Sequence, residues 1–172
     1  MMPIQMLHGL GRAKNAVQDY LIHKLLFPKV YLDTEFNGVN VDVLAIDRAG
    51  AGDVHAVKIV YQGADVENAL ETVIANIRNP PPPARIIPHF VYAAVVNDGP
   101  SATKFIPSEQ IIQRSLAEDG VGRMGILYVD LTADEPKVEP ILKAERFRSS
   151  KEIVELADRY VAEHTPNWEV RD

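Results

Sequence analysis

Two charged residues sit inside stretches whose other residues are those of buried strands. Asp42 lies within Val-Asn-Val-Asp-Val-Leu-Ala-Ile, and Lys58 within His-Ala-Val-Lys-Ile-Val. A charge in a strand interior is costly unless it is paired or reaches a surface. The two stretches read as neighbouring strands of a hairpin, so the carboxylate and the ammonium can meet. They form either a structural salt bridge, or strand ends in solvent, or the polar nucleus of a site. Two more carboxylates follow on a predicted helix. Glu67 flanks the apolar stripe of that helix and can approach the sheet, whereas Glu71, one turn on, points further outward. Solvated first-turn acids favoured by the helix dipole give the same pattern.

Other candidates have plainer explanations. Asp19 and His23 are spaced i, i+4 on a predicted helix, which puts them on one face. No third ligand lies near them in sequence, so a helix-surface pair is the simpler reading. His55 points away from Lys58 by strand alternation and reads as structural. Asp33 and Glu35 lie between the first strands and can join the site if the meander folds as expected, with solvent exposure the commoner fate. The glycines at 9–11 and 49–52 lack the lysine and the strand-to-helix context of a phosphate loop. No Gly-x-Ser-x-Gly or His-Glu-x-x-His pattern occurs. Residues 143–151, KAERFRSSK, place four basic residues around Phe147. They read as a solvated helix start, with nucleic-acid contact as the alternative. Trp168 reads as a lid on the core or a contact with another subunit.

The elements that must position these residues follow from periodicity. Residues 12–26 carry a helical apolar stripe that Pro28 ends. Residues 30–32, 39–46 and 54–61 are short and rich in valine and isoleucine, and read as strands. A glycine-containing loop, DRAGAGD, suits a hairpin between the last two. Residues 65–78 form the clearest helix, with Asp65 as its N-cap and four prolines, Pro80 to Pro83, beyond it. Residues 89–96 and 124–131 read as strands covered on both faces. A weaker helix spans 108–118, and 132–148 reads as irregular. Ser149 and Glu152 form a capping box for a last helix. The order predicts one three-layer α/β domain with a mixed central sheet, an antiparallel meander followed by parallel strands.

Composition bounds the function. The 172 residues suit one domain over 1–172. The net charge of −6 argues against a broadly polybasic nucleic-acid binder. The first 63 residues are neutral, with six basic and six acidic residues, so the acidity does not lie on the strands of Asp42 and Lys58. The absence of cysteine excludes disulfides, thiolate catalysis and cysteine-held metals. The longest apolar run, 90–96, is far short of the roughly 20 residues that span a bilayer. With no leader pattern at the N-terminus, a cytoplasmic protein is the expectation.

The order of elements and the stretch GVNVDVLAIDRAGAGDVHAVKIV resemble the PD-(D/E)XK superfamily, the restriction-endonuclease-like fold. The resemblance covers about residues 11–96 and implies a nuclease-like core of about 11–131, with a C-terminal helical extension of about 149–164. It places Asp42 at the family's aspartate and Lys58 at its lysine. In the family, the acids bind divalent metal, usually magnesium, and the lysine orients or activates the attacking water. The departures are local. Ala56 stands where the acid two residues before the lysine belongs, and Asn40 stands where a glutamate is common. Lys14-Asn15 occupies about the place of the leading helix's glutamate. Some members take the missing acid from the helix after the lysine strand, which would be Glu67, with Glu71 beside it.

Three functions follow from the resemblance and its gaps. The preferred one is a catalytically degenerate member kept as a binding or assembly module, expected as a homodimer, with DNA as a candidate partner. The second is an active metal-dependent nuclease using Asp42, Lys58 and Glu67 or Glu71, with Asp42 and Glu67 on Mg²⁺. The third is an unrelated soluble α/β protein.

Overall fold

The computed structural model of the chain describes residues 4–36, 39–46, 53–63, 65–78, 88–99, 103–117, 120–148 and 152–169. Helix α1 runs Ile4–His23, starting before the apolar stripe that marks it in the sequence. Its C-terminal end is closed by the Phe27 N–H donating to the Leu21 carbonyl, with Leu26 at a positive φ of 59° just ahead of Pro28. Strand β1, Lys29–Phe36, is longer than the 30–32 expected. It pairs antiparallel with β2, Val39–Ile46, which pairs antiparallel with β3, Val54–Tyr61. Residues 47–52, the expected hairpin loop, lie outside the described residues, as do the prolines at 80–83 and the capping residue Ser149.

Helix α2, Val66–Arg78, begins directly after Asp65. Strand β4, Phe90–Asn97, then lies parallel to β3. Helix α3 is short, Glu109–Arg114, and the Ser108 hydroxyl accepts from the Ile111 N–H at its start. Strand β5, Gly125–Asp130, is parallel to β4. The expectation of irregular chain over 132–148 is corrected by β6, Lys137–Leu142, which pairs antiparallel with β5. Pro140 and the charges Lys137 and Glu139 disguise it as loop. Helix α4 is Glu152–Glu163. A two-residue strand β7, Trp168–Glu169, adds to β1, and the Asn167 side chain accepts from the Leu32 N–H at 2.7 Å. Trp168 thus belongs to a strand on the sheet's edge.

The sheet has seven strands in the order β6-β5-β4-β3-β2-β1-β7. Alternation sorts its side chains. One face, with Val43, Val57, Ala94 and Leu127, packs under Ala13, Val17 and Leu21 of α1. The other face carries two separate clusters. Over β3–β5 it packs under Leu70 and Ile74 of α2 and Ile111 of α3. Over β1, β2 and the start of β3 it packs under Ile153, Ala157 and Tyr160 of α4. No helix among the described residues is long and apolar enough to cross a membrane.

Two glycines are required by this packing, Gly122 and Gly125, the latter because a Cβ there would lie 2.8 Å from the Ala144 backbone nitrogen. Gly122 has a φ of +104°, and a Cβ there would lie 2.6 Å from the Phe147 Cα. Phe147 is a fully buried member of the α2–α3 cluster and cannot move aside cheaply. Gly122→Ala is therefore expected to cost about 2 kcal/mol or more, from strain plus overpacking. In a chain of this size that lowers Tm by roughly 4–8 °C in a thermal melt. Gly11→Ala, inside α1 with nothing within 4 Å of the added methyl, should instead raise stability by up to about 1 kcal/mol.

Candidate functional site

The ladder between β2 and β3 runs from Ile46↔Val54 to Val43↔Val57. One step further, the same register sets Asp42 opposite Lys58. There the backbone pairing ends, and the Ile59 N–H donates instead to Asp42 Oδ2 at 2.7 Å. A side-chain carboxylate replaces the strand carbonyl that would otherwise accept. This explains the acid in an apolar strand, because a bare strand N–H in a part-buried place is costly. Lys58 Nζ lies 3.8 Å from the same oxygen, and its side chain is 49% exposed.

Lys58 is tolerated because of where it falls on the sheet. Its neighbours on the same face, Ala56 and Val60, belong to different clusters. Ala56 lies in the cluster with α4, and Val60 in the cluster with α2 and α3. Lys58 stands at the seam between these two coverings and reaches water. Tyr61 follows on the α1 face. Among the described residues its buried hydroxyl finds no hydrogen-bond partner. Burial raises its pKa, and the carboxylates of Asp98 and Asp42 raise it further.

Of the remaining candidates, Asp33 lies across from Asp42 in the β1–β2 register, and the others are paired elsewhere or exposed. Glu71 pairs with Arg114 of α3, Oε2 to Nη2 at 2.9 Å, so it faces the neighbouring helix. Glu67 is exposed in the first turn of α2. Asp33 pairs with Lys14 of α1, and Glu35, Asp19 and His23 are exposed. Among the described residues no three His, Asp or Glu side chains come close enough together to hold a metal ion.

A second polar cluster, which sequence reasoning missed, lies at the other end of β3. His89, 1% exposed, accepts the Val54 N–H on Nδ1 at 2.9 Å. The ring's proton then sits on Nε2, which faces Asp53 Oδ1 at 3.7 Å. Arg146 reaches both oxygens of Asp53, at 3.2 and 3.3 Å. The Phe147 N–H donates to the His89 carbonyl. Arg146 and Phe147 of the basic stretch fasten the chain before α4 to the sheet. The only sequence signal was a histidine directly before an apolar run. His55 beside it is buried, as expected of a structural residue. Its ring stacks on Phe90 and approaches Phe27, and its Nδ1 lies 3.2 Å from the Tyr92 hydroxyl.

No protein-family model and no curated protein matches this sequence. Among solved structures, the chain is similar to the SPO1766 protein of unknown function from Silicibacter pomeroyi. The TM-score is 0.52 and the identity 16%, covering 95% of this chain and 86% of that one. That likeness is one of fold alone. A weaker similarity is to Pyrococcus furiosus SfsA, solved in complex with Ca²⁺. There the TM-score is 0.40 and the identity 13%, over 78% of this chain and 63% of that one.

Two predictions follow from the two clusters. Asp42→Ala leaves the Ile59 N–H without its acceptor and should cost about 1–3 kcal/mol, read in urea unfolding. Asp42→Asn keeps an acceptor and loses only a half-exposed ion pair, worth about 0–1 kcal/mol. Equal losses would show that the hydrogen bond is not the reason for the acid. Burial pushes the His55 pKa down from 6.5 to about 4, against the opposing pull of Asp53, and His89 adds to the lowering. Burial, then Arg146, lowers that of His89 despite Asp53. The unfolded chain therefore takes up protons that the native one refuses. Stability is full above pH 6.5 and is lost as pH falls toward 4, by about 3 kcal/mol for His55. His89→Asn keeps an acceptor for Val54 and should shrink this acid loss. An unchanged Tm from pH 7 to pH 4 would contradict the account.

Proposed function

We propose that this chain is a catalytically degenerate protein of the restriction-endonuclease-like fold that serves as a binding or assembly module. Its helix, its antiparallel β1–β2–β3 meander, and the following α2 and parallel β4 support the fold reading. The observation that carries the degeneracy is Ala56. It stands where the family's second acid belongs, and it is 8% exposed within the apolar cluster of α4. A carboxylate there would be buried among Ile153, Ala157 and Tyr160 rather than offered to a metal. Asp42, the remaining acid of the motif, is engaged by the Ile59 N–H and Lys58, and Glu71 by Arg114.

A second reading keeps an active divalent-metal-dependent nuclease built on Asp42, Lys58 and Glu67. It is favoured by the half-exposed Lys58 ammonium, which still faces the Asp42 carboxylate.

Plasmid DNA incubated with the protein and Mg²⁺ or Mn²⁺ separates the two. The degenerate reading expects no nicking above that of Lys58→Ala, and Ala56→Asp is expected to lower Tm without creating activity. Nicking that disappears in both Lys58→Ala and Glu67→Gln would establish the enzyme instead.

A further inference from the structure

Where β2 parts from β3, a second charged pair lies beside the first. Asp33 of β1 stands across from Asp42, in the register that runs from Leu32↔Val43 to Thr34↔Val41. The Lys14 ammonium of α1 holds the Asp33 carboxylate. Asp42 in turn meets Lys58. Alternating charges thus run from helix to sheet, with two opposed carboxylates in the middle. Like charges directly opposite each other on neighbouring strands are destabilising, so this pair needs a cation.

The backbone bends to bring Asp33 to Lys14. Val30 and Leu32 lie on the α1 face and Tyr31 on the α4 face, so alternation alone would turn Asp33 toward α4. Asp33 instead has a positive φ of 48°, and its carboxylate meets a residue of α1. Past it the alternation is reversed, with Phe36 on the α4 face. A positive φ on a residue other than glycine is strained and persists only where its surroundings hold it. Lys14 supplies the hold. Its side chain is 13% exposed, against 49% for Lys58. A lysine so far out of water needs an anion within reach.

We propose that Lys14 is a built-in cation. Its ammonium does for the opposed carboxylates of Asp33 and Asp42 what a divalent cation would otherwise do, and it closes the pair to such ions. The proposal deepens the degenerate reading above and rests on it. Magnesium and calcium take oxygen ligands, and magnesium is commonly held by one or two carboxylates with water completing its shell. As they stand, the oxygens here do not fit such an ion. The Asp33 carboxylate is bonded to an ammonium, and one oxygen of Asp42 accepts the Ile59 N–H. The charges of Lys14 and Lys58 repel a further cation. With Lys14 made neutral, the two carboxylates keep only the half-exposed charge of Lys58, and a hydrated divalent ion can supply what was lost.

Thermal melts of the full chain at constant ionic strength, in EDTA and with Ca²⁺, Mg²⁺ or Mn²⁺, test this. Wild-type Tm should be the same in all of them. Lys14→Met keeps the apolar stem and removes the charge. It should melt below wild type in EDTA and recover roughly 3–6 °C at a cation concentration about ten times Kd. Lys14→Gln, neutral but polar, should recover in the same way, whereas Lys14→Arg keeps the charge and should stay indifferent to cations. Adding Asp33→Asn to Lys14→Met should abolish the recovery, since the ion then has one carboxylate. Calorimetric titration of Lys14→Met with Mn²⁺ reads the same gain on the folded protein. A wild type stabilised by divalent ions as much as Lys14→Met overturns the proposal. So do neutral variants that neither melt higher with any of these ions nor titrate with Mn²⁺. DNA cleavage lost in Lys58→Ala would sink the degenerate reading and is read apart from these melts.

Discussion

A strand's N–H must find an acceptor wherever water cannot supply one, and in this sheet side chains meet that demand at Leu32, Val54 and Ile59. Strand β2 stays with β1 to its N-terminal end, with a break at Asp33 opposite Asp42, but leaves β3 after Val43. At the parting, the Ile59 N–H would lose its ladder partner, and Asp42 supplies one. The carboxylate is placed by backbone bonding first. Its meeting with Lys58 is a consequence of the same register, which sets positions 42 and 58 opposite each other.

The seam beside Lys58 has an equally simple origin. On one face of the sheet α1 lies over a single continuous cluster. The opposite face is covered by elements from distant parts of the chain, α2 and α3 over the parallel strands and α4 over the meander. Two coverings leave a line between them, and a long cationic side chain can stand there because its head reaches water. The same arrangement seals Ala56 under α4. A helix near the C-terminal end of the sequence thus closes over the start of β3.

The opposite end of β3 is governed by burial of a neutral imidazole. His89 accepts a backbone N–H, so its protonation is opposed by geometry as well as by desolvation. Through Asp53 and Arg146 the imidazole is linked to the chain leading into α4. The helix that covers the meander is therefore anchored beside the start of β3.

The sequence by itself determined the α/β class, the meander and the parallel strands, and it left the meeting of Asp42 with Lys58 as one of three alternatives. These rest on local periodicity and on a two-residue alternation that needs no knowledge of distant chain. It did not reveal β6, because an edge strand bearing Pro140, Lys137 and Glu139 has no apolar alternation to display. Nor did it reveal that Glu71 turns to Arg114, that Lys14 holds Asp33, or that Phe147 is core. Those outcomes depend on which helix lies beside which strand. Side chains far apart in sequence become partners only when packing brings them together, and the price of burying each charge alone then decides the pairing.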